Sequence, residues 1–143
     1  MNAGQGVTAD ASGTGSWTLD LRGLSVRQVS ASSDPMGEEP PTFALVLDGV
    51  ADVAVEGPVR MTKGSVAARG ATELPVTAAC GALVGATVLS ATCSAAGSLR
   101  LVFSTGHHVT VRGDDPEVRV RVRRPGAFEW AGGGGTGVMT PLT

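Results

Sequence analysis

Residues 97 to 113 read Gly-Ser-Leu-Arg-Leu-Val-Phe-Ser-Thr-Gly-His-His-Val-Thr-Val-Arg-Gly, and this stretch decides the fold. Two segments in which apolar and polar residues alternate flank a turn from Ser104 to Gly106, which is the pattern of a β-hairpin. The apolar positions on its predicted inner face are Leu99, Leu101, Phe103, Val109 and Val111. Because an isolated hairpin is only marginally stable in water, this face predicts a second sheet that covers it.

The chain repeats this pattern in its first half. Moving the hairpin back by 56 positions, without a gap, places its apolar residues and its last glycine on Phe43, Leu45, Leu47, Val53, Val55 and Gly57. The segments 25–31 and 85–91 match at an offset of 60, once four residues of the loop 32–41 are removed. This self-similarity indicates an internal duplication, although half-buried meanders in general look alike. We expect Leu45 to superpose on Leu101 and Leu47 on Phe103, with all four buried.

The predicted fold class is all-β. Two pseudo-repeated β-meanders, at about residues 24–57 and 84–113, are expected to pack as a sandwich or a partly open barrel. They form a single β domain over residues 16–130. Residues 1–15 are predicted to be a disordered leader, because small polar residues bury too little apolar area to offset the entropy of ordering. Residues 131–143 are a Gly-rich tail that is mobile or laid across the body.

At most one short helix is expected, over residues 75–84, where Thr77 is in position to cap a turn. The segment 65–73 is predicted to be a weak edge strand or a loop. Aromatic residues are rare, so the core is expected to consist of Val, Leu and Ala. Trp17 and Trp130 are expected to close the two ends of the fold.

Charge and composition exclude several classes of function. The 11 Lys and Arg against 13 Asp and Glu give a formal charge of −2, without the basic excess of a general nucleic-acid binder. Aromatic residues make up 3% of the chain, with no Tyr, which is too few for a base-stacking or sugar-binding platform. No apolar run reaches the roughly 18 residues of a membrane span, and no secretory signal is visible, so the predicted location is the cytoplasm.

The histidines and cysteines, which often form catalytic or metal sites in other proteins, do not form a recognisable motif in this sequence. His107 and His108 are adjacent on a predicted strand and point to opposite faces, so we do not expect them to hold one metal ion together. Cys80 and Cys93 are expected to be free and inert. The alternatives are a disulfide between them or a thiol–imidazole constellation with His107.

Two further motifs are only weak indications of an ion-binding site. The acidic turn at 114–117 lacks the alternating ligand spacing of a calcium loop and is expected to be solvated. The glycine run at 132–135 follows no strand-to-helix pattern, so it predicts no phosphate cradle. The sequence therefore predicts no catalytic, cofactor-binding or metal-binding residue.

Residues 117–124 form the clearest predicted strand, in which valines face one way and arginines the other. Like charges on one strand repel one another unless they meet water, an acidic loop of the same chain or an acidic partner. One interpretation is that the arginines protect an exposed sheet edge. The other is a surface that binds an acidic protein, and its candidate residues are Arg119, Arg121, Arg123 and Arg124.

The second half also resembles a known family. Residues 97–103, Gly106, residues 109–111 and a late Trp130 are similar to a pattern of small uncharacterised actinobacterial proteins, over about Trp17 to Trp130. A composition rich in Ala, Gly, Val and Arg with little Lys is likewise typical of GC-rich genomes. The resemblance implies a duplicated β fold of the kind found among immunity partners of polymorphic toxins, with structural rather than catalytic motifs. This chain departs from the pattern by inserting four arginines into the final Glu/Trp segment.

Three hypotheses of function follow. The leading one is a non-enzymatic protein-interaction module, immunity-like in role, that binds an acidic protein surface without a cofactor. The first alternative is a small β-barrel enzyme or ligand-binding protein of natural-product metabolism, in which a cavity of a few hundred Å³ holds the ligand or substrate. The second is a structural subunit of a larger assembly, with Gly-rich ends as flexible contacts. A homo-oligomer is compatible with each.

Overall fold

The computed structural model describes residues 7–9, 15–34, 36–64 and 72–142 of the chain. Within them α1 (Val76–Ala79) runs directly into a 3₁₀ turn (Cys80–Leu83), and no helix is long and apolar enough to cross a membrane. The strands, in chain order, are β1 Val7–Ala9, β2 Ser16–Leu19, β3 Val26–Ser32, β4 Thr42–Leu47, β5 Ala51–Glu56, β6 Arg60–Lys63, β7 Thr72–Leu74, β8 Val88–Ser94, β9 Leu99–Phe103, β10 His107–Val111, β11 Arg119–Arg124, β12 Phe128–Gly132 and β13 Val138–Pro141.

The strands form two antiparallel sheets that share one apolar core. The seven-stranded sheet has the order β1-β2-β8-β9-β10-β6-β7, and the six-stranded sheet has the order β13-β12-β11-β5-β4-β3. Buried apolar side chains from both sheets make up a single cluster. Full burial of each Val, Leu or Phe side chain contributes about 1.5–3 kcal/mol, so this cluster is the main source of stability. The predicted all-β class is confirmed, in its two-sheet form.

Each sheet contains one of the predicted meanders, and the two meanders pair in the same register. In the six-stranded sheet, Leu45 lies opposite Val29 on β3 and Val53 on β5. In the seven-stranded sheet, Leu101 lies opposite Ala91 on β8 and Val109 on β10. The four residues predicted to be buried are at most 1% exposed, which confirms that prediction: Leu45, Leu47, Leu101 and Phe103.

The first strand of each meander is aligned differently from the sequence prediction. Val26 lies opposite Leu47, Val88 lies opposite Phe103, and both strands then shift register at the following pair. β3 and β8 therefore correspond at an offset of 62, from Val26 to Val88, and the predicted offset of 60 is wrong. The reason lies in the connections, since nine residues join β3 to β4 and only four join β8 to β9.

After each meander, the next strand of the chain joins the other sheet. β6 follows β5 along the chain but pairs with β10, where Met61 lies opposite Val109. β11 follows β10 along the chain but pairs with β5, where Val122 lies opposite Val53. The chain thus crosses between the sheets after each meander, and both halves of the chain contribute strands to both sheets.

Glycines occupy both crossings. Gly57 has a φ of 123°, and a Cβ at this position would lie 2.9 Å from Cγ2 of Val118, just before β11. A Cβ on Gly113, at the other crossing, would overlap the backbone of Gly97 and Ser98. Any side chain would push apart the segments that meet here, so both crossings require glycine.

The two tryptophans differ in their surroundings. Trp130 is fully buried in the middle of β12, between Val122 on β11 and Met139 on β13. Trp17 is half-buried on β2, opposite Cys93 on β8. Trp130 is therefore part of the apolar core, whereas Trp17 packs against it only in part.

Parts of both termini are ordered strands. β1 lies within the expected disordered leader and pairs with β2, whereas residues 1–6 and 10–14 lie outside the described residues. β13 lies within the expected Gly-rich tail and pairs with β12. Residues 138–141 of the tail are therefore the edge strand of the six-stranded sheet.

The expected short helix is present, but its cap differs from the prediction. The N-cap residue is Pro75, which makes no side-chain capping bond, so the prediction that Thr77 caps the turn is wrong. Residues 65–71 of the predicted weak edge segment lie outside the described residues. Thr72 and Glu73 belong to β7, an edge strand of the seven-stranded sheet.

Candidate functional site

The outer surface of β11 carries the predicted row of arginines. Arg119, Arg121 and Arg123 are exposed. The valines that alternate with them point into the core and are 2%, 4% and 0% exposed: Val118, Val120 and Val122. A register slip of one residue would bury the guanidinium groups without partners, which costs several kcal/mol for each and holds the strand in this register. We call the outer surface of the six-stranded sheet around these three arginines the arginine face.

β11 is an interior strand. It lies between β12 and β5, and each of these strands has a further neighbour on its far side. The backbone of β11 is therefore paired on both sides, and the interpretation of the arginines as protection of an exposed edge is wrong. Solvent, carboxylates of the same chain and an acidic partner are the explanations that remain.

The strands beside β11 bring carboxylates to two of the three arginines. Arg119 lies opposite Glu56 on β5. Arg123 lies opposite Asp52 on β5 and Glu129 on β12. Directly opposite residues on one face of a sheet have Cβ atoms about 5 Å apart, so these pairs offset much of the repulsion within the row.

Arg121 has no carboxylate directly opposite it. Its cross-strand neighbours are Ala54 on β5 and Ala131 on β12, whereas Asp52, Glu56 and Glu129 lie at diagonal positions. The ion pairs found within the described residues involve none of the three arginines of this face, so only the cross-strand positions distinguish Arg121 from the other two. The two methyl side chains leave the guanidinium of Arg121 open to an approaching group. Arg121 is thus the point of the arginine face where positive charge is least compensated.

Arg124 differs from the other three. Its Nη1 donates a 2.6 Å hydrogen bond to the backbone carbonyl of Asp20 and lies 3.2 Å from Oδ2 of the same residue. Its side chain is 30% exposed. Arg124 therefore ties β11 to the turn after β2, and its guanidinium is already engaged within the chain.

His107 and His108 are both buried at the start of β10, at 5% and 8% exposure. Nδ1 of His107 lies 2.6 Å from Oγ1 of Thr105, whereas Nη2 of Arg100 donates to Nδ1 of His108 over 3.2 Å. No group of three metal-ligating side chains occurs in the part of the chain that the structure describes. Each ring has its own polar partner, which gives a joint metal site no support.

Both rings are neutral at neutral pH. Burial, helped by the charge of Lys63, lowers the pKa of His107 below its usual value. Burial, helped by the charge of Arg100, lowers the pKa of His108 in the same direction. The bond from Arg100 requires this neutral state, because Nδ1 of His108 must offer a lone pair to the guanidinium.

Cys80 and Cys93 are free, as predicted, and no disulfide joins them. Burial raises the pKa of the Cys93 thiol to about 12, which suppresses the reactive thiolate. Sγ of Cys80 lies 3.9 Å from the carbonyl of Thr77, to which it donates, while Nδ1 of His107 is engaged with a threonine hydroxyl. The thiol–imidazole constellation is not assembled.

The acidic turn at 114–117 uses its carboxylates for its own structure. Asp114 forms an ion pair of 2.8 Å with Arg112, and the hydrogen bond from this arginine lowers the pKa of Asp114. Oδ1 of Asp115 accepts the backbone N–H of Glu117 over 2.9 Å. In the neighbouring glycine run, the N–H groups of Gly134 and Gly135 donate to backbone carbonyls of this region. Asp114, Asp115 and the two glycine N–H groups are therefore engaged within the chain.

The outer face of the seven-stranded sheet holds a feature that the sequence does not reveal. A depression of about 440 Å³ lies over β2, β8, β9 and β10, and Arg100 stands among its lining residues. The alternation within the hairpin already places Arg100 and Thr110 on the outer face. Thr18 and Thr92 come from strands that only the sheet order brings alongside. We call this site the threonine–arginine depression, after Thr18, Thr92, Arg100 and Thr110.

We predict that the protein loses stability between about pH 6.5 and pH 5, above the range in which carboxylates titrate. The folded state lowers the pKa of both histidines, so the unfolded chain binds protons more readily. The stability that the two neutral histidines contribute is therefore fully present above pH 6.5. It is lost as the pH falls through their folded-state pKa values. Urea unfolding midpoints at pH 7.5 and pH 5 measure the loss, with His107→Gln/His108→Gln as the control. An equal drop in the control would contradict this assignment.

Comparison with known proteins places the chain in a family whose function is unknown. The chain matches the family of unknown function DUF6188 over residues 17–119, from β2 to the first residue of β11, which includes both meanders and both crossings. No curated protein and no solved structure matches the chain. The predicted resemblance to an uncharacterised family is confirmed at this level. Because the match covers most of its length, the chain belongs to the family of unknown function DUF6188.

Proposed function

We propose that the protein is a non-enzymatic protein-binding domain that docks its arginine face onto an acidic surface of a partner protein. The observation that carries this proposal is Arg121, which stands exposed in the interior of a sheet face between Ala54 and Ala131. An unpaired guanidinium can form two parallel hydrogen bonds to one carboxylate, with both geometric specificity and charge attraction.

The charge pattern around Arg121 describes the partner more closely. Arg119 and Arg123 already face carboxylates of their own chain, so a partner gains less from them. Binding energy in protein interfaces is usually concentrated in a few central residues, of which arginine is among the commonest, inside a rim that excludes water. We therefore propose a partner carboxylate directly over Arg121, with the two flanking arginines and their own carboxylates as the rim.

The immunity-like role is the particular form of this proposal, in which the partner is a toxin domain with an acidic surface. The resemblance noted in the sequence supports this form, as it supports an actinobacterial source. The free thiols of Cys80 and Cys93 are typical of a reducing compartment, and we propose the cytoplasm on that ground.

Two alternatives have less support. A ligand enclosed within a β-barrel is disfavoured, because the space between the two sheets is occupied by the apolar core. A structural subunit with flexible Gly-rich ends is disfavoured at the C-terminus, where β13 is paired with β12.

We expect Arg121→Glu to abolish capture of the partner from a lysate of the source organism at low salt. With the purified partner, the affinity should fall at least about tenfold, because the substituted carboxylate repels the one that Arg121 would bind. Arg119→Glu and Arg123→Glu should cause smaller losses, since each already faces a carboxylate. The matched control is Arg22→Glu, an exposed turn residue that undergoes the same charge reversal elsewhere. Undiminished binding by folded Arg121→Glu would place the interface on another surface.

We also propose that the two meanders arose by internal duplication. The supports are the shared register of the two hairpins and the glycine at each crossing. Five positions are identical at the offset of 56, four within the strands of the two hairpins and one at the crossings: Leu45 and Leu101, Val46 and Val102, Val53 and Val109, Val55 and Val111, Gly57 and Gly113.

We predict that residues 43–47 and 53–56 of the first hairpin tolerate the residues found at the corresponding positions 99–103 and 109–112 of the second. The required substitutions are Phe43→Leu, Ala44→Arg, Leu47→Phe, Ala54→Thr and Glu56→Arg. Every substituted residue keeps its face of the sheet, and the two core changes exchange one Phe and one Leu, so we expect cooperative unfolding with a loss of about 1–3 kcal/mol. Urea unfolding followed by circular dichroism tests this, with Leu45→Arg as a control that buries a charge. A chain that no longer unfolds cooperatively would argue against interchangeable repeats.

A further inference from the structure

The threonine–arginine depression lies on the sheet opposite to the arginine face. Its volume of about 440 Å³ is within the range of small-molecule sites. The polar side chains that line it include six hydroxyl groups and one guanidinium: Ser16, Thr18, Thr92, Ser94, Ser98, Arg100 and Thr110. None of its lining residues is acidic, so the one full charge in the depression is positive.

The central polar residues form a continuous row across four strands. Thr18 lies opposite Thr92, Thr92 lies opposite Arg100, and Arg100 lies opposite Thr110. Paired positions project to the same face, and neighbouring strands are about 4.8 Å apart, so the row is about 14 Å wide. Arg100 therefore has a threonine hydroxyl within one strand spacing on each side.

Arg100 is exposed, and its side chain is held by a neighbour on the adjacent strand β10. It donates one hydrogen bond to the buried ring of His108, which anchors the side chain. Within the described residues, the ion pairs to carboxylates are made by other arginines, namely Arg27, Arg60, Arg112 and Arg124. A guanidinium has more N–H donors than this one bond uses, so Arg100 keeps donors that are free to bind an anion.

Two pairs of these hydroxyl groups differ in their bonding. Ser94 and Ser98 bond to each other over 2.7 Å. The hydroxyls of Thr92 and Thr110, on either side of Arg100, make no hydrogen bond with the described residues. Because these side chains are only partly exposed, a ligand that bonded to them would displace little water.

We propose that this depression binds a small hydroxylated oxyanion, with its carboxylate or phosphate group on Arg100 and with Thr92 and Thr110 donating to the same ligand. A guanidinium matches both kinds of oxyanion in a forked geometry, and flanking hydroxyls both donate and accept, as a polyhydroxylated ligand requires. This site is independent of the arginine face, because it lies on the other sheet and shares no residue with it.

Isothermal titration of the full chain tests the proposal with three probes. Glucose 6-phosphate and glucuronate carry the two oxyanions, and glucose is the neutral probe of matched shape. We expect at least one anionic probe to bind at least tenfold more tightly than glucose, and the tighter one identifies the oxyanion. Arg100→Gln should weaken anion binding at least tenfold. Arg22→Gln, which removes the same charge from an exposed turn outside the depression, should leave it unchanged.

Three results would overturn the proposal. They are equal binding of glucose and both anions, no anion binding at millimolar concentration, and full binding by Arg100→Gln. Should Arg100→Gln fail to fold, Thr92→Val/Thr110→Val keeps the charge and removes only the two hydroxyls. This variant should weaken anion binding several-fold, and unchanged binding would equally contradict the site.

Discussion

The backbone pairing of β11 with β5, and of β6 with β10, is the constraint on which the rest of this structure depends. Each meander ends at a strand whose outer N–H and C=O groups need partners, and in both cases the strand that provides them comes from the other half of the chain. The exchange ties the two sheets together through the chain itself as well as through the core. It also explains why glycine is required at position 57, where the two crossing segments meet, and at position 113, where the second crossing meets the turn between β8 and β9.

The same exchange determines which side chains meet on the outer faces. It brings Asp52 and Glu56, on β5, beside arginines that follow them in the sequence by more than sixty residues. Opposite charges at such positions contribute about 0.2–1 kcal/mol per pair, which offsets the repulsion within the arginine row. Arg121 is the one arginine of the row with alanines at both cross-strand positions, so it is the point of the arginine face where a partner carboxylate meets no competing group directly opposite. On the other sheet, the hairpin places Arg100 outward among threonines, with no carboxylate directly opposite it.

Much of the fold is predictable from the sequence because strand periodicity is local. The alternation of Leu99, Leu101 and Phe103 with outward residues is visible in a few letters, and the offset of 56 relates it to Leu45 and Leu47. The burial of these residues and the short helix follow from the same kind of pattern. The class of the fold and its division into two meanders therefore need no structure.

The sheet order is not predictable in this way. The alternating pattern of β11 would be the same at a sheet edge and in the interior of a sheet. The sequence alone therefore allowed edge protection, whereas in the structure β11 lies between β5 and β12. β1 and β13 are only three and four residues long, too short for a clear alternating pattern, and each pairs along the edge of a longer strand, β2 and β12. The threonine–arginine depression escapes the sequence for the same reason, since Thr18 and Thr92 meet only when β2 pairs with β8.

The exchange is tested most directly by native-state hydrogen exchange measured for individual amides. If the crossing strands join the two sheets into one cooperative unit, the slowest amides of β6 and β11 exchange with the same opening free energy as those of β4 and β9, equal to that of global unfolding. The result that would contradict the account is a separate opening of lower free energy, in which the amides of β6 or β11 exchange while both meanders stay protected.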